Sequence, residues 1–445
     1  MYPRQIYIHI GQWFRQYWSK FCALPRAEQY FQGVFWTFFC YLVTFSGGFG
    51  IREVLPPLAG CFLIGYYRYN WEQSNLRRFP LKWALIIYVL SLIWAVAVSL
   101  NPLESFIHVA RGLNKQLLIF IVALESVRNE KDIRRLIWAF VVGLFWQGLN
   151  CVYQGSTGFD FIQQDPPHAG RLTGSFGDYW IGNYFALALV PAGGLWYLLR
   201  QKCGRAESWL LCAALLWPAA YGMLFASARN ALLTLAVSMG LAWAYAVFIQ
   251  WKSMKAGGGV MLLGGTLLSL GFLVVRPASL VSVGEDGRWD LWRLALKVFQ
   301  ENPLVGVGAG QYNAAFRALD LAPAKDAITI SHPHDIYLQL LCETGIIGFV
   351  LTLLPLGCLL VWLGRKLHPL LRQECACAER GEQVSLRWRL TFFCALGFVA
   401  FLINGIVGHD FYRPWYQALA FSQLGMALGA VLGAVPAATG TARTS

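Results

Sequence analysis

Charge is scarce in this sequence: Asp, Glu, Lys and Arg make up 13% of its 445 residues, against 57% hydrophobic ones. A soluble enzyme carries roughly 25% charged residues, so a soluble globular fold is excluded. Stretches of alternating apolar and polar residues are also missing, which excludes a membrane β-barrel. The eleven cysteines are scattered. None falls clearly in the long exported loop, so no disulfide framework is implied. Cys375-Ala-Cys377 with His368 nearby falls short of the four ligands of a metal clip. The first 30 residues lack a continuous apolar core and a cleavage pattern, so a removable signal peptide is not expected. Aromatics and Arg alternate there (Tyr7, Trp13, Phe14, Arg15, Tyr17, Trp18), which reads as an interfacial helix. No repeat of fixed period and no basic domain for nucleic acid is present, and the net charge of +13 is a topology and anionic-lipid signal.

What recurs instead is apolar runs of about 20 residues, long enough to cross roughly 30 Å of hydrocarbon as helix. The fold expected is an all-α integral membrane protein with about twelve transmembrane helices. They fall at 31–48, 52–67, 81–100, 104–124, 133–154, 179–199, 207–227, 229–250, 257–275, 335–362, 388–408 and 414–434. Lys and Arg concentrate in alternate loops, from Arg4, Arg15, Lys20 and Arg26 to the basic stretch Arg365 through Arg389, which puts both termini in the cytoplasm. The exceptions on the exported side are Arg52, Arg171, Arg229 and Arg413. The chain therefore divides into a cytoplasmic or interfacial segment 1–30, spans one to nine over 31–275, a large exported loop 276–334, spans ten to twelve over 335–434 and a cytoplasmic tail 435–445.

An exported loop of that length is a functional candidate. Trp289, Trp292, Leu296 and Phe299, spaced by three and four, predict an amphipathic helix over 287–300, ended by Asn302-Pro303, with a second short helix over 311–319. A smaller exported loop, 155–178, carries His168 and Arg171 and looks like a second wall of the same site. At the loop's end, His332, Pro333 and His334 meet span ten. An imidazole there is suited to accept a proton from a sugar or other hydroxyl. One residue apart, the two side chains are expected to point in different directions, so general-base work is assigned to one of them. Asp335 either orients that base or serves the helix N-terminus. Arg229, in the turn Ser227-Ala228-Arg229-Asn230, and Arg288 and Arg293 are matched to phosphate. Several exported arginines around one His loop favour an anionic substrate, and a lipid-linked diphosphate satisfies both charge and location. Gly306-Val307-Gly308-Ala309-Gly310 is not a nucleotide loop, because no βαβ unit surrounds it. No Asp-x-Asp pair calls for a metal, so neither metal nor cofactor is expected. Glu104, His108, Arg111 and Lys115 fall on one face of span four, either as an ion path or as interhelical pairing.

In combination, Arg288 with Trp292, Asn302-Pro303-Leu304-Val305-Gly306-Val307-Gly308, His334-Asp335-Ile336-Tyr337-Leu338, and Glu343-Thr344-Gly345 with Gly348 resemble the O-antigen ligase and polymerase superfamily. The resemblance covers residues 220–350 by motif and the whole chain by span layout. It implies a multi-pass bacterial inner-membrane enzyme whose active site lies on the periplasmic face. Such enzymes transfer glycans from undecaprenyl diphosphate without nucleotide or metal. By that likeness His334 activates the acceptor hydroxyl, Arg229 and Arg288 hold the donor diphosphate, and Arg171 is a weaker match. Many relatives have Asn where this chain has Asp335. The activity implied is transfer of O-antigen polysaccharide from the undecaprenyl-diphosphate carrier to lipid A-core oligosaccharide. The alternatives are a polymerase of O-antigen or exopolysaccharide and a protein O-oligosaccharyltransferase. From another class, a polysaccharide or ion transporter would need polar groups joining both faces.

Overall fold

The computed structural model describes residues 16, 18–168, 170–177, 180–255, 288–319, 332–382, 384–408 and 410–433. Every regular element among them is a helix. In chain order these include α1 (Arg26–Thr44), α2 (Phe49–Asn70), α3 (Lys82–Ala97), α4 (Pro102–Leu113), α5 (Ile119–Ser126), α6 (Glu130–Thr157), α7 (Ile181–Ala192), α8 (Arg205–Phe225) and α9 (Arg229–Phe248). They continue with α10 (Arg288–Glu301), α11 (Tyr312–Ala318), α12 (Ile336–Glu379), α13 (Arg387–Asn404) and α14 (Pro414–Leu432). Among the described residues, seven helices are long and apolar enough to cross a membrane. The expected span 257–275 and the loop segments 276–287 and 320–331 lie outside the described residues, as does most of the expected N-terminal interfacial helix.

Helix α14 forms the centre. Residues Trp415 to Leu432 are all buried. A helix wrapped by protein on every side can hold polar groups if they are satisfied internally. Gln417 accordingly pairs with Gln116, and Gln423 Nε2 donates to the Leu187 carbonyl at 3.0 Å. Gly425 and Gly429, four apart, let α5 approach closely enough that a Cβ at either position would press on its backbone. This is the small-residue packing that lets membrane helices associate.

Three expectations change. Span four carries a π-turn at Asn114–Leu118, between α4 and α5, and Glu104, His108 and Arg111 all precede it on α4. Span ten, expected to end at 362, runs on to Glu379. Hydropathy stops where the bilayer stops, whereas helical hydrogen bonding does not. The buried face of α10 is Leu291, Leu294, Ala295 and Val298, while Trp289 is 58% and Leu296 44% exposed. A helix at a membrane surface has apolar neighbours on both sides, and periodicity cannot tell protein from lipid. The helices expected over 287–300 and 311–319 are present as α10 and α11.

Helix α12 is broken at Gly345, whose φ of 63° and ψ of −176° are not helical. The chain 302–308 repairs the break. Val307 and Gly308 donate to the carbonyls of Cys342 and Glu343 at 3.2 and 2.6 Å, and Ile346 and Ile347 donate to those of Pro303 and Leu304 at 2.9 and 3.3 Å. Backbone groups freed within an apolar span must find partners in this way. The Asn302–Gly308 and Glu343–Gly345 motifs are thus two halves of one contact. A Cβ at Gly345 would strike the Leu304 carbonyl, whereas one at Gly364 on the same helix meets open space. Gly345→Ala should therefore cost about 2 kcal/mol or more, and Gly364→Ala nothing or a small gain. Thermal unfolding of both variants in detergent checks this, and equal midpoints would refute the pairing.

Candidate active site

The geometry of the histidine pair starts from one strained residue. His334 has φ of +58°, in the left-handed region, where non-glycine residues are uncommon and His is tolerated better than most. That turn folds its backbone N–H onto Nδ1 of His332 at 3.2 Å. The ring centroids come to 4.3 Å. The two imidazoles therefore lie side by side, contrary to the expectation from their one-residue spacing, because strand-like alternation does not survive a left-handed turn. With Nδ1 accepting, neutral His332 carries its proton on Nε2. Directly after the pair, the Asp335 carboxylate accepts from the N–H groups of Tyr337 and Leu338 at 2.8 and 3.0 Å. It caps α12, the second of the two roles read for it.

Backbone strain of this kind costs about 1 kcal/mol or more and is retained at sites where the geometry is used. His334→Gly should consequently unfold at higher temperature than His334→Ala, by the equivalent of about 1 kcal/mol. Identical unfolding midpoints would remove the strain.

The floor of the site is the turn from Asn404 to Arg413, between α13 and α14. Its position is set by a buried polar network: Asn404 Nδ2 donates to Asn183 Oδ1 and Thr234 Oγ1 at 3.2 and 2.9 Å, and Asn183 Nδ2 donates to the Tyr416 hydroxyl at 2.6 Å. Asn230 Nδ2 donates to the Asn404 carbonyl at 3.1 Å, and the Ile336 N–H to the Gly405 carbonyl at 2.9 Å. The start of α9, where Arg229 sits, and the start of α12 after His334 thus bond to consecutive residues of one turn. Ser227, two residues before Arg229, is itself left-handed at φ 54°.

Asp410 lies buried in this floor. Its Oδ1 accepts from Gln339 Nε2 at 2.7 Å and from the Tyr412 N–H at 2.9 Å, and Gln339 in turn accepts from the Phe411 N–H at 2.8 Å. Burial alone would raise the Asp410 carboxyl, but His332, His108, the Gln339 hydrogen bond and Arg413 outweigh it and hold its pKa below the ordinary carboxylate value. His108 arrives from α4, its ring 5.5 Å from that of Tyr412 and packed against Gly310, where an added Cβ would come within 3.2 Å of it. Glu104, one turn earlier, is exposed and accepts from Gln311 Nε2 at 3.3 Å, and Arg111 is exposed as well. Of the titratable residues read on span four, His108 and Glu104 thus meet the Gly310-Gln311 segment at the loop end of the bundle.

Charge at the histidines follows from burial and from the cations around them. Burial lowers the His332 pKa, and Arg413 and His108 lower it further against Asp410. His334 is pushed down to about 3, first by burial, then by His332, Arg288 and Arg413. Its imidazole is neutral with a lone pair available throughout the physiological range. Arg288, the first residue of α10, therefore lies within electrostatic reach of His334. Arg293 lies on the opposite, open side of α10, 77% exposed and 3.7 Å from Asp290. Arg171 is in the tight turn whose backbone pairs with His168 in both directions at 3.0 Å.

His108, Asp410 and Arg413 are absent from the active-site residues read from sequence. His108 was read as part of a charged face, and Arg413 was visible only as an arginine outside the positive-inside pattern. Asp410 gave no signal, because an acidic residue in a short loop is ordinary. Residues 214–353 match the family model described as O-antigen ligase. That segment contains Arg229, Arg288, Arg293, His332, His334 and Asp335, and leaves out Arg171, His108, Asp410 and Arg413. No curated protein matches the chain.

Proposed function

We propose that this chain, a member of the O-antigen ligase and polymerase superfamily through residues 214–353, transfers O-antigen polysaccharide from undecaprenyl diphosphate to lipid A-core oligosaccharide. The observation that carries the reading is a neutral, part-buried imidazole, His334, under the field of Arg288 and Arg413 beside the ionised Asp410. A neutral base next to fixed cations suits a reaction in which a hydroxyl loses a proton while a diphosphate leaves. On this reading the chain spans the bacterial inner membrane about twelve times with both termini in the cytoplasm. Loop 276–334 is then periplasmic.

The acceptor hydroxyl oxygen forms the new bond to the anomeric carbon of the donor's first sugar as the bond to the diphosphate oxygen breaks. The hydroxyl proton passes to the His334 imidazole, and undecaprenyl diphosphate leaves with the bonding pair. Direct displacement inverts the anomeric centre. Arg229 and Arg288 stabilise the charge that develops on the leaving group, the task for which preorganised cations contribute most. His332 positions His334 through the hydrogen bond from its backbone. Arg171 and Arg293, on the two loops flanking the site, would meet the outer part of the substrate. Asp335 holds the helix that carries the pair. A transporter is disfavoured because, among the described residues, the buried charges at the other end of the bundle are committed to protein partners: Glu125 and Asp132 accept from backbone N–H groups, and Arg389 pairs with Glu374 at 3.1 Å.

The test is a deletion strain in which lipopolysaccharide and lipid-linked glycan are both analysed. Long polymer held on the carrier, with uncapped core, is expected. Single repeat units on core would instead assign the chain as a polymerase, and unchanged lipopolysaccharide would point to a protein acceptor or a different role.

A further inference from the structure

Arg413 was assigned no part by the sequence, and its surroundings are unusual for an arginine in a membrane protein. Its guanidinium carbon stands 3.5 Å from the centroid of the Trp180 ring. Trp180 in turn packs on Trp415 at 5.9 Å, and Trp415 packs on Phe176 and Tyr416 at 5.1 and 3.7 Å. This aromatic stack fixes the plane of the guanidinium while leaving its five N–H groups at the edge, since a cation over a ring uses only its face. Among the described residues, no carboxylate or carbonyl accepts from those N–H groups. The side chain is half-buried, and the backbone is pinned by Arg413 N–H donating to the Asp410 carbonyl at 3.2 Å. It acts on both His332 and His334 from the floor turn, whereas Arg288 acts on His334 from the periplasmic-loop helix α10.

A guanidinium that is held in place and not committed to a protein anion is the arrangement expected of an anion ligand. A structural arginine at this depth would be drawn into a pair with Asp410, which instead takes its hydrogen bonds from Gln339 and the Tyr412 backbone. We propose that Arg413 binds the diphosphate of the lipid-linked donor from the side opposite Arg288, and that Trp180 is a positioning residue that holds Arg413 in place for it. This rests on the functional reading above and adds to it a cation from outside the matched family segment.

The test is direct binding of undecaprenyl diphosphate and undecaprenyl monophosphate to the full-length purified protein in detergent, which needs no turnover. Wild type is expected to prefer the diphosphate. Arg413→Gln should weaken diphosphate binding by about 10–100-fold, the range for losing charge-assisted hydrogen bonds, and monophosphate binding far less. Trp180→Leu should weaken diphosphate binding by several-fold, with Trp180→Phe restoring it. A misfolded variant would lose both ligands alike, and Arg413→Lys, which keeps the charge without the fork, should then show partial selectivity. Equal diphosphate affinity in wild type, Arg413→Gln and Arg413→Lys overturns the inference and leaves the glycosyltransferase reading standing. No binding of either lipid by wild type overturns both.

Discussion

His334→Gln is expected to stay folded and to lose transfer by about 10²–10⁴-fold in kcat, the contribution of a positioned general base. Gln keeps a polar side chain of similar reach but cannot accept the proton at working pH. The neutral state of the imidazole sets the accompanying pH dependence. A base works unprotonated, so lowering its pKa moves the acid limb of activity to lower pH. Burial, His332, Arg288 and Arg413 hold His334 down to about 3 from 6.5. The kcat/KM profile, which reports the free enzyme, should therefore stay level as pH falls through 6.5. Bound diphosphate places negative charge beside Arg288 and Arg413, offsets their field and lifts the imidazole pKa. The acid limb of kcat should accordingly lie at higher pH than that of kcat/KM. Transfer rates measured on reconstituted enzyme from roughly pH 5 to 8 check both. A kcat/KM midpoint near the ordinary imidazole value, or full activity in the purified variant, would remove His334 as a base held neutral by its surroundings.

The second large effect concerns Arg288. Arg288→Ala is expected to lower kcat by about 10²–10³-fold, the loss seen when one preorganised donor to developing charge is removed. It should also do something that a purely structural arginine would not. Taking away one of the cations that depress His334 should raise the imidazole pKa and move the acid limb of kcat/KM upward, toward 6.5. Rate and pH profile are thus coupled through one residue, and the two are measured in the same titration. A slower enzyme with an unmoved acid limb would mean that Arg288 does not face the imidazole. Because Leu291, Leu294, Ala295 and Val298 form the buried side of α10, the variant should stay folded.

How far the sequence reached differs between the fold and the site. Hydropathy specified where helices lie because an apolar run of membrane length has one way to satisfy its backbone, and α1 to α9 and α12 to α14 fall close to the expected spans. It missed features that satisfy the same rule by other means. The polar residues at the π-turn, Asn114-Lys115-Gln116, and at the break, Glu343-Thr344-Gly345, are too few to interrupt the apolar runs on either side, and α12 continues past the bilayer where polar residues are no obstacle. The aromatic face of α10 was visible, but which face the protein buries was not, since lipid and protein look alike to an apolar side chain.

At the site, the motif around His332, His334 and Asp335 was legible because imidazoles and a helix-capping carboxylate are rare next to a span. Whether the rings meet was not, since that turns on one left-handed φ at His334. Arg288 could be named from type and location, but its reach to His334 depends on how α10 packs against α12. Asp410, Arg413 and His108 come from parts of the chain some 70 to more than 220 positions from His334, and only the packing of α4, α12 and α14 brings them there. By itself the sequence determined a helical membrane chain and a histidine at one end of it. The tertiary structure decided which charges surround that histidine, because the field at a buried imidazole is set by distance and burial, and neither is written in residue order.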